Sequence, residues 1–227
     1  MSRNVKAKKI FALLGYMGVG KDTILKQVLK DMDDVKPIIS TTTRPMRKGE
    51  TEGVEYYFID DTEFFRRGTD FVEQRIYHTK VKENGVEKDA TWRYGIERAE
   101  LEKDDYLIVI VHWVGYEKLI DRAPKLFARY KELKDYVGNG RIVPIFISAP
   151  KEELRARALA RGDLEAEVDR RLKDDYERFM DFRVRTVYHE VKNGEGRLEE
   201  AIKEVENIIT KHINEVKEIK CKTKRKK

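Results

Sequence analysis

The chain has 227 residues, 40% hydrophobic and 40% charged, which suffices for one large domain, or a core with an inserted subdomain, and contains no apolar run of membrane-spanning length. Its net charge of +6 resides in the last eight residues: without the six cations of Lys220–Lys227, the 48 Lys and Arg fall to 42, equal to the 42 Asp and Glu, so no specific nucleic-acid surface is implied. The single cysteine, Cys221, excludes an internal disulfide and a cysteine-based zinc site and suits a reducing, cytoplasmic setting.

Met1–Asn4 is basic, but the apolar run at 10–14 that follows is too short for a signal sequence and is needed as the first strand. After it comes Gly15-Tyr16-Met17-Gly18-Val19-Gly20-Lys21-Asp22-Thr23. Glycines in such a loop let successive backbone N–H groups point at phosphate oxygens, the helix that follows adds its positive end, and Lys21 sets a cation on the outer phosphates. The setting between a strand and a helix separates this from a glycine-rich turn that binds nothing. Gly15, Gly18, Val19, Gly20, Lys21, Asp22 and Thr23 are therefore expected to hold a nucleoside triphosphate, ATP. The residue after the lysine is usually Ser or Thr, as a magnesium ligand; Asp22 stands there instead and is expected to meet Mg²⁺ directly or through water.

Ile24, Leu25, Val28, Leu29 and Met32 recur with helical spacing, completing a strand–loop–helix unit. From 38 to 100 the pattern changes to short strand-like pieces, at 55–59 and 71–76, with turn residues between them. Asn84-Gly85 is a two-residue hairpin signal flanked by 79–81 and 86–88. This stretch reads as an inserted β-rich subdomain. The continuous apolar runs 106–111 and 142–147 read as parallel strands buried on both faces. Helical patterns follow at 151–160 and 164–181, then a short strand near 186–191. Last is a helix over 197–219, with Leu198, Ile202, Val205, Ile209, Ile213 and Val216 on one stripe. The tail 220–227 reads as a solvated end or as a weak binder of acidic polymers or membrane surfaces.

Ser40-Thr41-Thr42-Thr43-Arg44-Pro45-Met46-Arg47-Lys48-Gly49-Glu50, followed by Gly53-Val54-Glu55-Tyr56-Tyr57-Phe58, gathers arginines, hydroxyls and tyrosines. Such a set fits a phosphate monoester, because guanidinium forks take phosphate edges and phenols fill the remaining acceptor sites. By composition alone a solvated loop fits equally well.

Together with the phosphate loop, this segment resembles guanylate kinase, over about residues 8–210. The resemblance implies an α/β fold: a P-loop kinase with a parallel sheet core (8–37 and 101–219), the insertion at 38–100 for the monophosphate, and a helical lid at about 151–181. It implies transfer of the ATP γ-phosphoryl to GMP or dGMP. Ser40, Arg44, Arg47 and Tyr56 would bind the monophosphate, Glu73 would read guanine, and Tyr94 would add a second phenol. Lid arginines Arg157, Arg161 and Arg171 would close over the transferring group, and Asn193 would border the adenine; Arg155 and Arg170 read as an ordinary charged helix face. The partners implied are nucleotides, ATP and GMP or dGMP, with the protein a monomer or homodimer.

Three departures from the family pattern stand out. Tyr94-Gly95 is followed by Ile96 where a hydroxyl residue is usual. The strand at 106–111 runs into His112-Trp113 instead of ending in aspartates; His112 either replaces one contact to GMP or packs as a strand-end histidine. The loop between Glu73 and Tyr94 is long, and Tyr77 or Trp92 within it could rebuild what Ile96 lacks. A related kinase for another deoxynucleoside monophosphate or a ribose bisphosphate, and a non-catalytic protein-binding domain of guanylate-kinase type, are the alternative readings.

Overall fold

A computed structural model describes residues 9–83, 86–127, 141–185 and 188–224. They form two compact units. Of the described residues, one contains 9–37, 105–113 and those from 141 onward; the other contains 38–104 and the helix residues that follow from Val114.

The first unit is built on a five-stranded parallel sheet of order β2-β7-β1-β8-β9. Its strands are β1 (Lys9–Gly15), β2 (Lys36–Pro37), β7 (Tyr106–Ile110), β8 (Ile142–Ser148) and β9 (His189–Lys192). β1 lies in the middle, between β7 and β8, and all seven of its residues are buried, as its unbroken apolar run requires. Helix α1 (Lys21–Asp31) leaves the loop after β1 and buries Ile24 and Val28. Helices α5 (Lys151–Ala160) and α6 (Glu165–Arg185) follow β8, and α7 (Leu198–Lys224) ends the unit.

On α7 the predicted stripe is buried at Val205, Ile209, Ile213 and Val216, while Leu198 at its start is exposed. The helical backbone runs past 219 to Lys224, into the segment expected to be a solvated tail. Lysine and arginine are good helix formers and suit the negative end of a helix. Helix α6 likewise runs four residues beyond the expected 181. β9 begins at His189, later than the expected 186; residues 186 and 187 lie outside the described residues.

The second unit holds a four-stranded sheet of order β4-β3-β6-β5, comprising β3 (Ser40–Thr42), β4 (Tyr56–Phe58), β5 (Phe71–Glu83) and β6 (Val86–Glu97). Two short helices, α2 (Asp61–Arg66) and α3 (Arg98–Leu101), flank it. The hairpin expected around Asn84-Gly85 is much longer than the sequence pattern suggests. β5 and β6 pair without interruption from Glu73↔Ile96 to Glu83↔Val86, while the turn itself lies outside the described residues. The outer part, with His78, Lys80, Lys88 and Asp89 in the strands, carries too little hydrophobic alternation to be read as strand.

Helix α4 (Trp113–Phe127) was not predicted, since Gly115 and Pro124 lie in its sequence and both argue against a helix. From Val114 onward it belongs with the second unit, whereas the sequence reading left this stretch in the core.

A contact between β9 and α7 makes the first unit sensitive to pH. His189 Nε2 and His212 Nε2 are 3.0 Å apart and His212 Nδ1 is 3.1 Å from Glu215. Burial lowers the pKa of both histidines below 6.5, helped by Lys211 at His189 and by Lys9 at His212. Groups with depressed folded-state values contribute stability that is present above pH 6.5 and lost as pH falls through those values. The thermal midpoint should therefore drop on acidification below pH 6.5. In His212→Asn, which keeps an amide donor for Glu215 but cannot gain charge, thermal denaturation from pH 7.5 to 5 should show a flatter profile.

Candidate functional site

In the first unit the loop between β1 and α1 is shaped by Gly15, Gly18 and Gly20, with φ of 145°, 72° and 90°. Two of these positions also lack room for a side chain. A Cβ at Gly15 would stand 2.3 Å from the Ile147 carbonyl oxygen, and one at Gly20 would stand 2.7 Å from Asn193 Nδ2. Lys21 bends back over the loop and donates to the carbonyls of Gly15 and Tyr16, each at 2.8 Å. Its ammonium is thereby held at the mouth of the backbone cradle. Val19 is buried beneath it. Asp22 and Thr23 are exposed in the first turn of α1, and a carboxylate beside a hydroxyl is a hard oxygen set that fits Mg²⁺ held mainly by phosphates and water. Among the described residues no cluster of three or more His, Cys, Asp or Glu could hold a metal by itself.

Asn193, expected to border the adenine, is only 3% exposed. Its amide donates to the Val19 carbonyl at 2.8 Å and its backbone N–H to Ser148 at 2.7 Å, so it braces the loop from behind. Arg157 donates to the Asn193 carbonyl at 3.0 Å and pairs with Glu153 at 3.1 Å. It supports that brace. Arg161, at the C-cap of α5, is exposed and bonded to Asp163, which raises its pKa. Arg171 lies half-buried on α6. Arg155 joins Glu165 and Asp169, and Arg170 joins Glu167 and Asp174; both are surface pairs, as the sequence suggests.

Sequence reasoning missed Asp175, one turn beyond Arg171. Its Oδ2 accepts the Met17 N–H at 2.8 Å, and its Oδ1 lies 3.6 Å from His112 Nε2. The next residue, Tyr176, stacks on Tyr16 with centroids 4.2 Å apart. Two adjacent side chains of α6 thus grip the phosphate loop, and His112 faces a carboxylate of this same unit. No sequence pattern announces Asp175, since an acid in a helix of many acids carries no signal.

In the second unit the expected acceptor residues converge on β3, β4 and β6. Ser40 pairs with Tyr56 across β3 and β4, and Thr42 pairs with Tyr94 across β3 and β6. Arg44, 3% exposed, donates to both oxygens of Glu50 at 2.7 and 3.0 Å and to the Pro45 carbonyl. Burial opposes its charge, but the Glu50 hydrogen bonds, with Tyr94 and Tyr56 nearby, outweigh it and raise the pKa. Glu50 also accepts the Arg47 backbone N–H at 2.7 Å. Burial opposes the Glu50 charge too, but is overcome by Arg44 and Arg47, which lower its pKa. The Arg47 residue is exposed. Glu50 is thus the organiser of the segment, a role that its place in the motif did not reveal.

Glu73 is 3% exposed and lies against the start of α4, where a Cβ at Gly115 would meet its Oε1 at 3.0 Å and its Cδ at 3.2 Å. Ile96, opposite Glu73 in the ladder, is 1% exposed.

A family model described as guanylate kinase matches residues 7–84. The guanylate kinase of Clostridioides difficile strain 630 is 30% identical over 225 residues, covering 95% of this chain and 94% of the relative. That of Hyphomonas neptunium is 32% identical over 172 residues, covering 73% and 68%. A shorter match, 49% identical over 63 residues, covers 28% of this chain and 32% of the guanylate kinase of Thermobifida fusca. Among solved structures, the guanylate kinase of Anaplasma phagocytophilum superposes with a TM-score of 0.56 at 24% identity, covering 92% of this chain and 88% of that one, a likeness of fold. The parallel sheet with its glycine loop, the inserted sheet with its arginines and tyrosines, and a relative aligned almost end to end agree: the chain belongs to the guanylate kinase family.

Proposed function

We propose that the protein transfers the γ-phosphoryl group of ATP to GMP or dGMP. The observation that carries this is one chain holding both a braced phosphate loop with Lys21 at its mouth and a separate cradle in which Arg44, Tyr56 and Tyr94 lie ring against guanidinium and ring against ring in the unit that also buries Glu73. Guanine offers N1–H and its amino group on one edge to a carboxylate, and adenine offers no such edge. A site that keeps Glu73 leaves that carboxylate unpaired when the wrong base enters, which costs more than the hydroxyl missing at Ile96.

In the reaction an oxygen of the acceptor phosphate attacks the γ-phosphorus in line. The bond from that phosphorus to the β–γ bridging oxygen breaks, its electrons stay on oxygen, and ADP leaves. The acceptor oxygen is already anionic, so no general base is needed and no covalent enzyme intermediate forms. Lys21 balances charge on the outer phosphates, Arg44 and Arg47 hold the acceptor, and Arg161 and Arg171 complete the positive surround. Asp22 and Thr23 would help hold Mg²⁺, which would supply further charge neutralisation. With its single cysteine and, among the described residues, no helix able to cross a membrane, the protein suits the cytoplasm.

Three substitutions test this reading. Lys21→Ala should lower kcat in a coupled ADP-release assay by about two to three orders of magnitude while leaving the circular dichroism melt unchanged; near-normal turnover would refute the mechanism. In the same assay wild type should favour GMP over AMP, UMP and CMP, and Glu73→Gln should erase most of its preference over AMP. Gly115→Ala should press a methyl group on the Glu73 carboxylate, so the KM for GMP should rise roughly tenfold, equivalent to about 1.4 kcal/mol. Its thermal midpoint should hold or rise, since alanine favours helix over glycine by about 1 kcal/mol; a fall in stability with unchanged KM would dissociate Gly115 from base recognition.

A further inference from the structure

The β5–β6 face that bears Glu73 carries an additional cation. In the ladder Glu73 faces Ile96, Arg75 faces Tyr94 and Tyr77 faces Trp92. Directly opposed residues of antiparallel strands stand on one side of the sheet, and alternate residues of a strand share it. Glu73, Arg75 and Tyr94 therefore project from the same face. The Arg75 guanidinium carbon lies 5.1 Å from the centre of the Tyr94 ring. The Tyr94 ring is 5.8 Å from that of Tyr56, and the Arg44 guanidinium is 5.3 Å from Tyr56. Two tyrosines expected to donate to the acceptor phosphate thus each carry a guanidinium on their ring.

The two arginines differ in what they have already bound. Arg44 makes a two-pronged contact with Glu50 and a third bond to the Pro45 carbonyl, so an incoming dianion shares it with a carboxylate. Arg75 forms no salt bridge with any described residue, and its guanidinium lies over the Tyr94 ring. A cation–ring contact is weaker than a charge-assisted hydrogen bond to phosphate, so exchanging one for the other is favourable. The guanidinium fork also matches a phosphate edge.

We propose that Arg75 is a further binding residue of the acceptor site, engaging the phosphate of the nucleoside monophosphate from the Tyr94 side of the cradle. The proposal rests on reading this unit as the monophosphate site. It gives the partly neutralised Arg44 a second fixed cation to work with, and it explains why a long charged side chain lies between the base-reading Glu73 and the aromatic pair Tyr77 and Trp92 on this face.

The test is a pair of calorimetric titrations, with GMP and with guanosine, on wild type, Arg75→Ala and Arg75→Lys, alongside steady-state kinetics. Arg75→Ala should weaken GMP about ten- to a hundredfold and raise its KM to match, while guanosine affinity, KM for ATP and kcat stay within about threefold. Arg75→Lys should recover part of the loss, because the charge returns without the fork. Equal weakening of GMP and guanosine would show that Arg75 only shapes the face, and unchanged GMP affinity would show that it is not used; either overturns the proposal. If wild type prefers another monophosphate, the guanine reading fails, and the same titrations with that nucleotide and its nucleoside decide Arg75 separately. A wild type that binds no monophosphate overturns both.

Discussion

The hydrogen bond from the Asn193 amide to the Val19 carbonyl is the constraint on which the donor half of the protein depends. A loop with three glycines in seven positions has more conformations to lose than almost any other segment, and a cradle of N–H groups binds phosphate well only if it is already formed. Asn193 is placed for this by β9, whose register against β8 ends at Ser148↔Lys192. Arg157 then holds the Asn193 carbonyl. Asp175 takes the Met17 N–H from α6 and Tyr176 stacks on Tyr16. The loop is thus fixed at Tyr16, Met17 and Val19 by groups that the ligand need not displace from the glycines.

The acceptor half uses a different device. Arg44 and Glu50 form a largely buried ion pair, and such pairs often contribute little net stability after desolvation. What Glu50 does supply is geometry, since the carboxylate that orients the Arg44 fork also accepts the Arg47 N–H. The segment between them is therefore folded before the monophosphate arrives, and less ordering remains to oppose binding. The cost is a partly cancelled positive charge, which other cations near the site must restore.

The phosphate loop, β1, β8 and α5 were legible in the sequence because a continuous buried strand and a glycine-rich turn each leave a local signature. Arg44 and Tyr56 fitted a phosphate site by residue type no better than a solvated loop, and Glu73 and Tyr94 were legible only through resemblance; the structure places Tyr56, Glu73 and Tyr94 on one sheet, with Arg44 just beyond β3. Asp175, Glu50 and Gly115 were not legible as parts of the site, since their roles arise from what stands opposite them in space. The length of β5 and β6 was hidden by their polar outer halves, and α4 by a glycine and a proline. The glycine has a spatial reason that no propensity contains: it leaves room for the Glu73 carboxylate.

The central position of β1 bears on how the chain reaches this fold. Lys9 pairs with Tyr106 and Ile10 with Ile142, so the strand made first must wait for partners roughly a hundred residues later in synthesis. The strands β5 and β6, by contrast, are neighbours in sequence and pair with each other without waiting for anything further along the chain. During translation the acceptor sheet can form while Ile10-Phe11-Ala12-Leu13-Leu14 is still uncovered, a short apolar segment of the kind that associates between chains. Lys6, Lys8 and Lys9 stand immediately before it, where charge keeps neighbouring nascent chains apart. The strand from whose end the phosphate loop springs is thus preceded in sequence by charges of the kind that oppose association of an apolar segment.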